Sequence, residues 1–286
     1  MIRKVVCPVA GLGTRMLPAT KVIPKEMLPV VDKPIIQYAL EEARASGIEQ
    51  VIFVTGRGKS AIEDHFDRAY ELEETLRRKR KTKELEALAA WLPEPGGISY
   101  TRQQEPLGLG HAVWCARHLV GDEPFAVMLV DDLMLGAVPP IGQLIEAHGR
   151  TGGGVIAVEE VPREHTQRYG ILVPGEDDGR LVEIKGLVEK PHPAEAPSRL
   201  SVIGRYVLLP DVFRHLERRE RGAGGEIQLT DAMARMIGSS PFHGLRFEGR
   251  RFDCGDKLGY LEAQIACALE REDLRAGVKR LVERYG

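Results

Sequence analysis

Cysteine and net charge are scarce in this 286-residue sequence, and each scarcity excludes a class of protein. Cys7, Cys115, Cys254 and Cys267 are scattered, with no Cys-x-x-Cys pair and no metal-ligand spacing. That argues against structural zinc and for reduced thiols in the cytoplasm. A formal net charge of -2 gives no general attraction for a polyanion, so no nucleic-acid partner is expected and any phosphate must be held by local groups. No run approaches the roughly 20 apolar residues of a membrane helix, so no membrane partner is expected either. The short basic and apolar start, Met1 to Val9, is interrupted by Pro8, Gly11 and Arg15 before a signal sequence could be completed. There is no internal repeat, low-complexity segment or interdomain linker.

What remains is a soluble globular composition, 43% hydrophobic and 29% charged, that can build a core without staples. Apolar runs at Val5–Val9, Val51–Thr55 and Phe125–Val130 read as strands, and helical spacing appears at Pro34–Ser46, Gly110–Leu119 and Ile141–His148. Strands alternating with helices predict a mostly parallel sheet covered on both faces. Asp67–Leu92 mixes Arg, Lys, Glu, Leu and Ala and reads as an exposed helical insertion; acids interspersed in its basic run make that run a solvated face. After Gly152 come shorter strand candidates, Val155–Val158, Gly170–Val173, Leu181–Val188 and Val202–Leu209, a β-rich portion suited to a second substrate. Helical patterns return at Gln228–Ile237 and from Lys257 onward. One domain over 1–286 is expected, with 1–150 mainly binding nucleotide, 151–256 mainly binding the second substrate, and C-terminal helices in 257–286.

The first strand runs into Ala10-Gly11-Leu12-Gly13-Thr14-Arg15-Met16, followed by Lys21 and Pro24-Lys25-Glu26-Met27-Leu28-Pro29. Glycines there let backbone N–H groups approach phosphate, and Arg15 and Lys25 can offset its charge, so a triphosphate is the natural guest. A dinucleotide fingerprint would need glycine in place of Met16, and a P-loop would need Gly-Lys-Ser/Thr; both fail. Asp131 and Asp132 end the third strand candidate, where α/β sheets collect ligands, and a carboxylate there can hold magnesium. In Val188-Glu189-Lys190-Pro191 a carboxylate beside an ammonium suits a ligand that is polyol at one end and dianion at the other.

The pairing of Gly-x-Gly-Thr-Arg with Pro-Lys-Glu-Met-Leu-Pro resembles the sugar nucleotidyltransferases, and among them the bacterial UTP:glucose-1-phosphate uridylyltransferases. The resemblance spans Val5 to about Ala268 in six ordered blocks: Val9–Pro18, Lys25–Pro29, Gly108–Val113, Val188–Pro191, Gly225–Asp231 and Asp253–Tyr260. It implies a single Rossmann-like α/β domain with a sugar-binding β portion, a magnesium-dependent reaction of UTP with glucose 1-phosphate, and a homodimer or homotetramer. Carried onto these positions, it implies uracil against Ala10, Gly11, Gln104 and Gly110, with Gly13 in the same loop and Glu26 on the nucleoside side. It also implies Lys190 on the sugar phosphate, Glu189 on sugar hydroxyls, Gly170 and Glu226 in the sugar pocket, and Asp253 as a second magnesium ligand. The family strand often ends in Pro before its metal-binding Asp; Val130 stands there here, favouring Asp131 as ligand and Asp132 as a cap, with the opposite register open.

The chemistry expected is direct substitution at the α-phosphorus with no protein nucleophile and no strong general base, because the attacking phosphate oxygen is already ionised at neutral pH. His111 is then expected to order the base-binding loop. Two rivals share the motifs: a thymidylyltransferase using dTTP, and a non-catalytic nucleotide-sugar sensor. The Gly-Leu-Gly-His-Ala and Gly-Glu-Ile-Gln-Leu-Thr-Asp blocks favour the uridylyl group, and the intact charges favour an enzyme.

Overall fold

The computed structural model describes the whole chain, Met1–Gly286. In chain order the strands are β1 (Lys4–Pro8), β2 (Pro29–Val30), β3 (Lys33–Pro34), β4 (Gln50–Thr55), β5 (Ile98–Arg102), β6 (Phe125–Met128) and β7 (Asp132–Leu135). They continue with β8 (Gly154–Glu160), β9 (Gly170–Asp177), β10 (Leu181–Glu189), β11 (Leu200–Leu208), β12 (Phe242–Arg246) and β13 (Arg250–Asp253). Nine of them form one sheet in the order β5-β4-β1-β6-β11-β8-β12-β10-β9. The β5-β4-β1-β6 half is all parallel, with Val5 beside Val51 and Ala126, and Phe53 beside Tyr100. Beyond it the pairing is antiparallel except between β8 and β12. The β-rich portion after Gly152 is therefore the second half of the same sheet.

Alternation along β1 shows why its apolar run is continuous. Val6 enters a cluster with Ile52, Val127 and the helices Leu109–Cys115 and Leu229–Met236, whereas Val5 and Cys7 enter one with Phe53, Met128 and the helices Ile35–Ala45 and Pro140–Thr151. A strand with helices on both faces needs apolar side chains at every position. The predicted helix over Gly110–Leu119 is split into Leu109–Cys115 and Arg117–Val120, and the charged insertion forms two helices, Tyr70–Arg78 and Thr82–Ala89, with mostly exposed side chains.

The predicted strand Phe125–Val130 ends at Met128, for a reason that shapes the site. Arg205, 1% exposed on β11, donates from Nη1 to Leu129 O (2.9 Å) and from Nη2 to Asp132 O (2.8 Å), while Nε and Nη2 bind the Glu42 carboxylate. These backbone carbonyls turn toward a buried guanidinium and not along the sheet, so residues 129–132 form a fixed corner at the carboxyl end of β6. The ribbon of β7 and β13 then leads out of that corner, with Asp132 opposite Asp253.

Candidate active site

Two adjoining clefts open at the carboxyl ends of β1, β6 and β10. The first, of about 580 Å³, is walled by Ala10 to Met16, Lys25, Gln103, Gly108 and Leu109; the second, of about 470 Å³, by Arg168, Tyr169, Gly170, Glu189, Lys190, Gln228, Thr230 and Asp253. Arg15, Leu109, Leu129, Asp131 and Glu226 line both. The clefts are thus compartments of one site that meet at a cation and a carboxylate.

The Gly-rich loop owes its shape to Gly13, whose φ of 67° is left-handed and whose missing Cβ would stand 3.1 Å from Lys25 Cβ. Thr20 Oγ1 closes the turn by donating to Gly13 O at 2.7 Å. Lys25 then reaches Asp131, with Nζ 2.6 Å from Oδ2 and both side chains 20% exposed. Burial alone pushes the Asp131 carboxyl upward; the Lys25 ammonium, its hydrogen bond and Arg15 outweigh that and hold the group below the usual aspartate range.

Asp131 and Asp253 come together although 122 positions separate them in the chain. A methyl group added at Gly255 would lie 3.0 Å from Asp253 Oδ1, 3.1 Å from Asp131 Oδ2 and 2.6 Å from Arg15 Nη2, so glycine at 255 leaves a small cradle lined by two carboxylate oxygens and a guanidinium. Cys254 N donates to Asp131 O (2.8 Å) and Gly255 N to Asp253 Oδ1 (3.0 Å), which ties the two segments. Asp132 lines only the second cleft and is tied to the frame: Oδ1 accepts from Arg251 Nε at 2.7 Å and Oδ2 from Gly204 N at 3.0 Å. Asp131 thus faces the cradle at Gly255, whereas both Asp132 oxygens are engaged by Arg251 and Gly204. Two carboxylate oxygens are hard donors of the kind that suits a hard cation.

In the second cleft, Lys190 has a left-handed φ of 48° and its Nζ lies 3.3 Å from Glu189 Oε1. Gly170 is crowded: a Cβ would come 3.1 Å from Thr230 Oγ1 and 3.2 Å from Glu189 Oε2. Arg168 approaches Asp253 and Asp256 at 3.9 and 3.8 Å.

Of the residues singled out from the sequence, Ala10, Gly11, Gly13 and Lys25 line the first cleft, and Asp132, Gly170, Glu189, Lys190 and Asp253 the second; Arg15, Asp131 and Glu226 join both. Three are corrected. Gln104 is exposed and faces another cleft, because side chains alternate past the end of β5; Gln103 is the amide that faces inward. Gly110 meets no ligand space: a Cβ there would stand 2.8 Å from both Ile227 O and Leu216 Cδ2, so this glycine serves helix packing, and Gly108 forms the cleft wall. Glu26 is fully buried behind the loop, 2.7 Å from Lys59, and Oε1 has no hydrogen-bond partner. Burial pushes its carboxyl up against the opposing pull of Lys59.

Sequence reasoning missed Gln103, Arg168, Gln228, Thr230, Arg205 and Arg251. Gln103 had a signal in the alternation of the strand, and Gln228 and Thr230 lie inside a motif block already noted; the arginines had none. His111 stands beside this loop: Gln103 Nε2 donates to Gly108 O (3.0 Å) and lies 3.1 Å from His111 Nδ1.

The parallel half-sheet carries its Gly-rich loop to the rim of a second cleft in which Arg168, Lys190 and Arg251 are interleaved with the carboxylates of Asp132, Glu189 and Asp253. Residues 5–268 match the nucleotidyl transferase family, and the chain belongs to that family. It is 58% identical over 257 residues, 90% of either chain, to a UTP–glucose-1-phosphate uridylyltransferase of Komagataeibacter xylinus. It is 50% identical to one of Bacillus subtilis strain 168, covering 96% of this chain and 94% of that one. The solved structure of a UTP-bound UGPase from Acinetobacter baumannii superposes with a TM-score of 0.92 at 43% identity, covering both chains completely.

Proposed function

We propose that this chain transfers the uridylyl group of UTP to glucose 1-phosphate, giving UDP-glucose and pyrophosphate. The observation that carries the reading is the meeting of the two clefts at Arg15 and Asp131, an arrangement that suits a triphosphate on one side of a point and a sugar phosphate on the other. The relatives' names and the family they share support the same substrates.

In this reading the base rests on Ala10, Gly11 and the Gln103 amide, whose oxygen can accept from the uracil N3–H while its N–H groups are held by Gly108 O and His111 Nδ1. The triphosphate lies along Gly11–Arg15, where backbone N–H groups, Arg15 and Lys25 offset its charge. Glu189, Glu226 and Thr230 hold the sugar hydroxyls, and Lys190 holds the phosphate. An oxygen of that phosphate forms a bond to the α-phosphorus of UTP while the α–β bridging oxygen leaves in line with pyrophosphate. No side chain needs to become a nucleophile or remove a proton, so catalysis is positioning and charge stabilisation. Asp131 and Asp253 would hold a magnesium ion, which would supply positive charge to the phosphate oxygens when bound. Lys25 and Arg15 balance the same carboxylates within the apo cradle and then turn toward the phosphates.

The C-terminal region is our candidate for self-association into a homodimer or homotetramer. The helix Lys257–Glu270 packs inward through Ala263, Ala266 and Cys267, yet exposes Leu258 (75%), Leu261 (58%) and Ile265 (44%) at i, i+3 and i+7. The four free thiols suit a reducing, cytoplasmic setting, and no helix is long and apolar enough to cross a membrane.

One assay tests the main proposal. Pyrophosphate release is followed after mixing the protein with glucose 1-phosphate, magnesium and either UTP or dTTP. Release with UTP at a higher kcat/KM than with dTTP is expected. Preference for dTTP would assign a thymidylyltransferase, and UTP binding without release would assign a sensor.

A further inference from the structure

Outside the two clefts lies a third, of about 420 Å³, on the far side of the Gln103–His111 contact. Its wall gathers Arg102, Arg117 and Arg219 with His118, against a single carboxylate, Glu105. Two of the guanidiniums pack on one ring: the Cζ atoms of Arg117 and Arg219 stand 3.5 and 4.5 Å from the centre of Trp114. Arg117 hydrogen-bonds only to Trp114 O, at 3.2 Å, and the buried Trp114 Nε1 has no partner. Arg219 is held at a left-handed φ of 52°, a conformation that costs energy for a residue with a side chain. Like charges gathered at one aromatic ring without carboxylate partners repel one another, and a bound anion would relieve that repulsion.

The wall of this cleft also reaches the nucleotide site. Gly108 O can only accept, which fixes Nε2 as the donating end of the Gln103 amide and makes His111 Nδ1 its acceptor. The imidazole proton then sits on Nε2, beside Cys115 Sγ at 4.0 Å, and the His111 ring stacks on Trp114 at 5.9 Å. A shift of Trp114 or Arg219 is therefore transmitted through His111 to the amide that faces the base.

We propose that this cleft is a second binding site, for a compact polyvalent oxyanion of the pyrophosphate type, coupled to the nucleotide cleft through His111 and Gln103. Three guanidiniums select for two or more phosphoryl groups over one. The coupling rests on the neighbouring cleft binding UTP; the anion site itself does not.

Trp91 and Trp114 are the only tryptophans, so in Trp91→Phe the emission reports Trp114 alone. Titration with inorganic pyrophosphate at constant ionic strength is expected to give a saturable change, with inorganic phosphate binding at least tenfold more weakly. The midpoint rises at least tenfold when Arg117→Ala and Arg219→Ala are added, and in Arg219→Gln alone, an exposed change that spares folding, it rises by a smaller factor. It is unchanged by Lys25→Ala, which weakens the other anion site by one of its cations. No saturable change, equal binding of phosphate, indifference to both arginine variants, or loss of the signal in Lys25→Ala would each overturn the site. Saturating UTP should shift the midpoint in Trp91→Phe and no longer do so once Gln103→Met is added. An unshifted midpoint, with UTP binding seen by calorimetry, removes the coupling; failure of UTP to bind at all counts against the uridylyl reading instead.

Discussion

Two lysine–carboxylate pairs lie next to each other under the Gly-rich loop, nearly equal in length and opposite in consequence. Lys25 meets Asp131 at 2.6 Å and Lys59 meets Glu26 at 2.7 Å. Lys25 and Glu26 are consecutive, yet the 3₁₀ turn Lys25–Met27 points one into the cleft and the other into the core. The cleft pair keeps 20% of each side chain accessible, whereas Lys59 is 6% and Glu26 0% exposed. An accessible pair can exchange partners when a phosphate arrives; a sealed one cannot, and its charges are only tolerable together. Ion-pair distance therefore says nothing of role here, while access to the cleft decides it.

The comparison is broken most forcefully by deleting one member of the sealed pair. Lys59→Ala should lower stability by about 3–5 kcal/mol in urea unfolding, because Glu26 is left as an unpaired buried charge, while turnover per folded molecule changes little. A large fall in turnover at intact stability would move Glu26 and Lys59 into the site. Asp131→Asn should do the reverse, lowering kcat on the order of 10²–10³-fold, about 3–4 kcal/mol of barrier, with a smaller stability loss than Lys59→Ala. Asp132→Asn next door should show itself mainly in unfolding, since its partners are Arg251 and Gly204; the opposite ranking would exchange the two aspartates.

Lys190→Ala should cost about 2 kcal/mol, read as a rise in KM for glucose 1-phosphate with UTP affinity unchanged, because one charge-assisted contact is lost. Gln103→Ala should weaken UTP binding by about 1 kcal/mol, whereas Gln104→Ala should stay within about 0.5 kcal/mol of wild type in calorimetry. Equal effects would mean that the amide facing the base is not the inward one. The smallest difference is in pH dependence. The Asp131 carboxyl is held low, so its contribution is present above the unfolded aspartate pKa and lost as pH falls through the lower folded value. The Glu26 carboxyl is held high, so its contribution is full below the unfolded glutamate pKa and lost as pH rises through the folded value. Stability profiles of Asp131→Asn and Glu26→Gln should therefore depart from wild type with opposite slopes; slopes of the same sign would refute the contrast.

The site was legible where chemistry is carried by contiguous residues. Gly11, Gly13, Arg15 and Lys25 follow a strand in one stretch, and Glu189 and Lys190 close another, so their spacing already marked them as candidates, and all six line the two clefts. Gln104, Gly110 and Glu26 went astray for one reason: a motif block shows which segment is near the ligand, not which of its side chains faces it. Strand alternation moved the amide to Gln103, helix packing claimed Gly110, and a 3₁₀ turn buried Glu26. Phe125–Val130 read too long because apolar periodicity cannot register Arg205 capturing the carbonyls of Leu129 and Asp132.

By itself the sequence determined the alternation of strands and helices, the phosphate loop and the family resemblance, because periodicity and motif spacing are local properties of a chain. Only the tertiary structure decided that Asp131 and Asp253 share a cradle at Gly255, that Asp132 belongs to the frame, and that Arg117 and Arg219 pack on Trp114. Those juxtapositions join segments roughly a hundred or more residues apart, and which side chains meet there is set by sheet order and by the turn at each strand end, neither of which is written in any one segment.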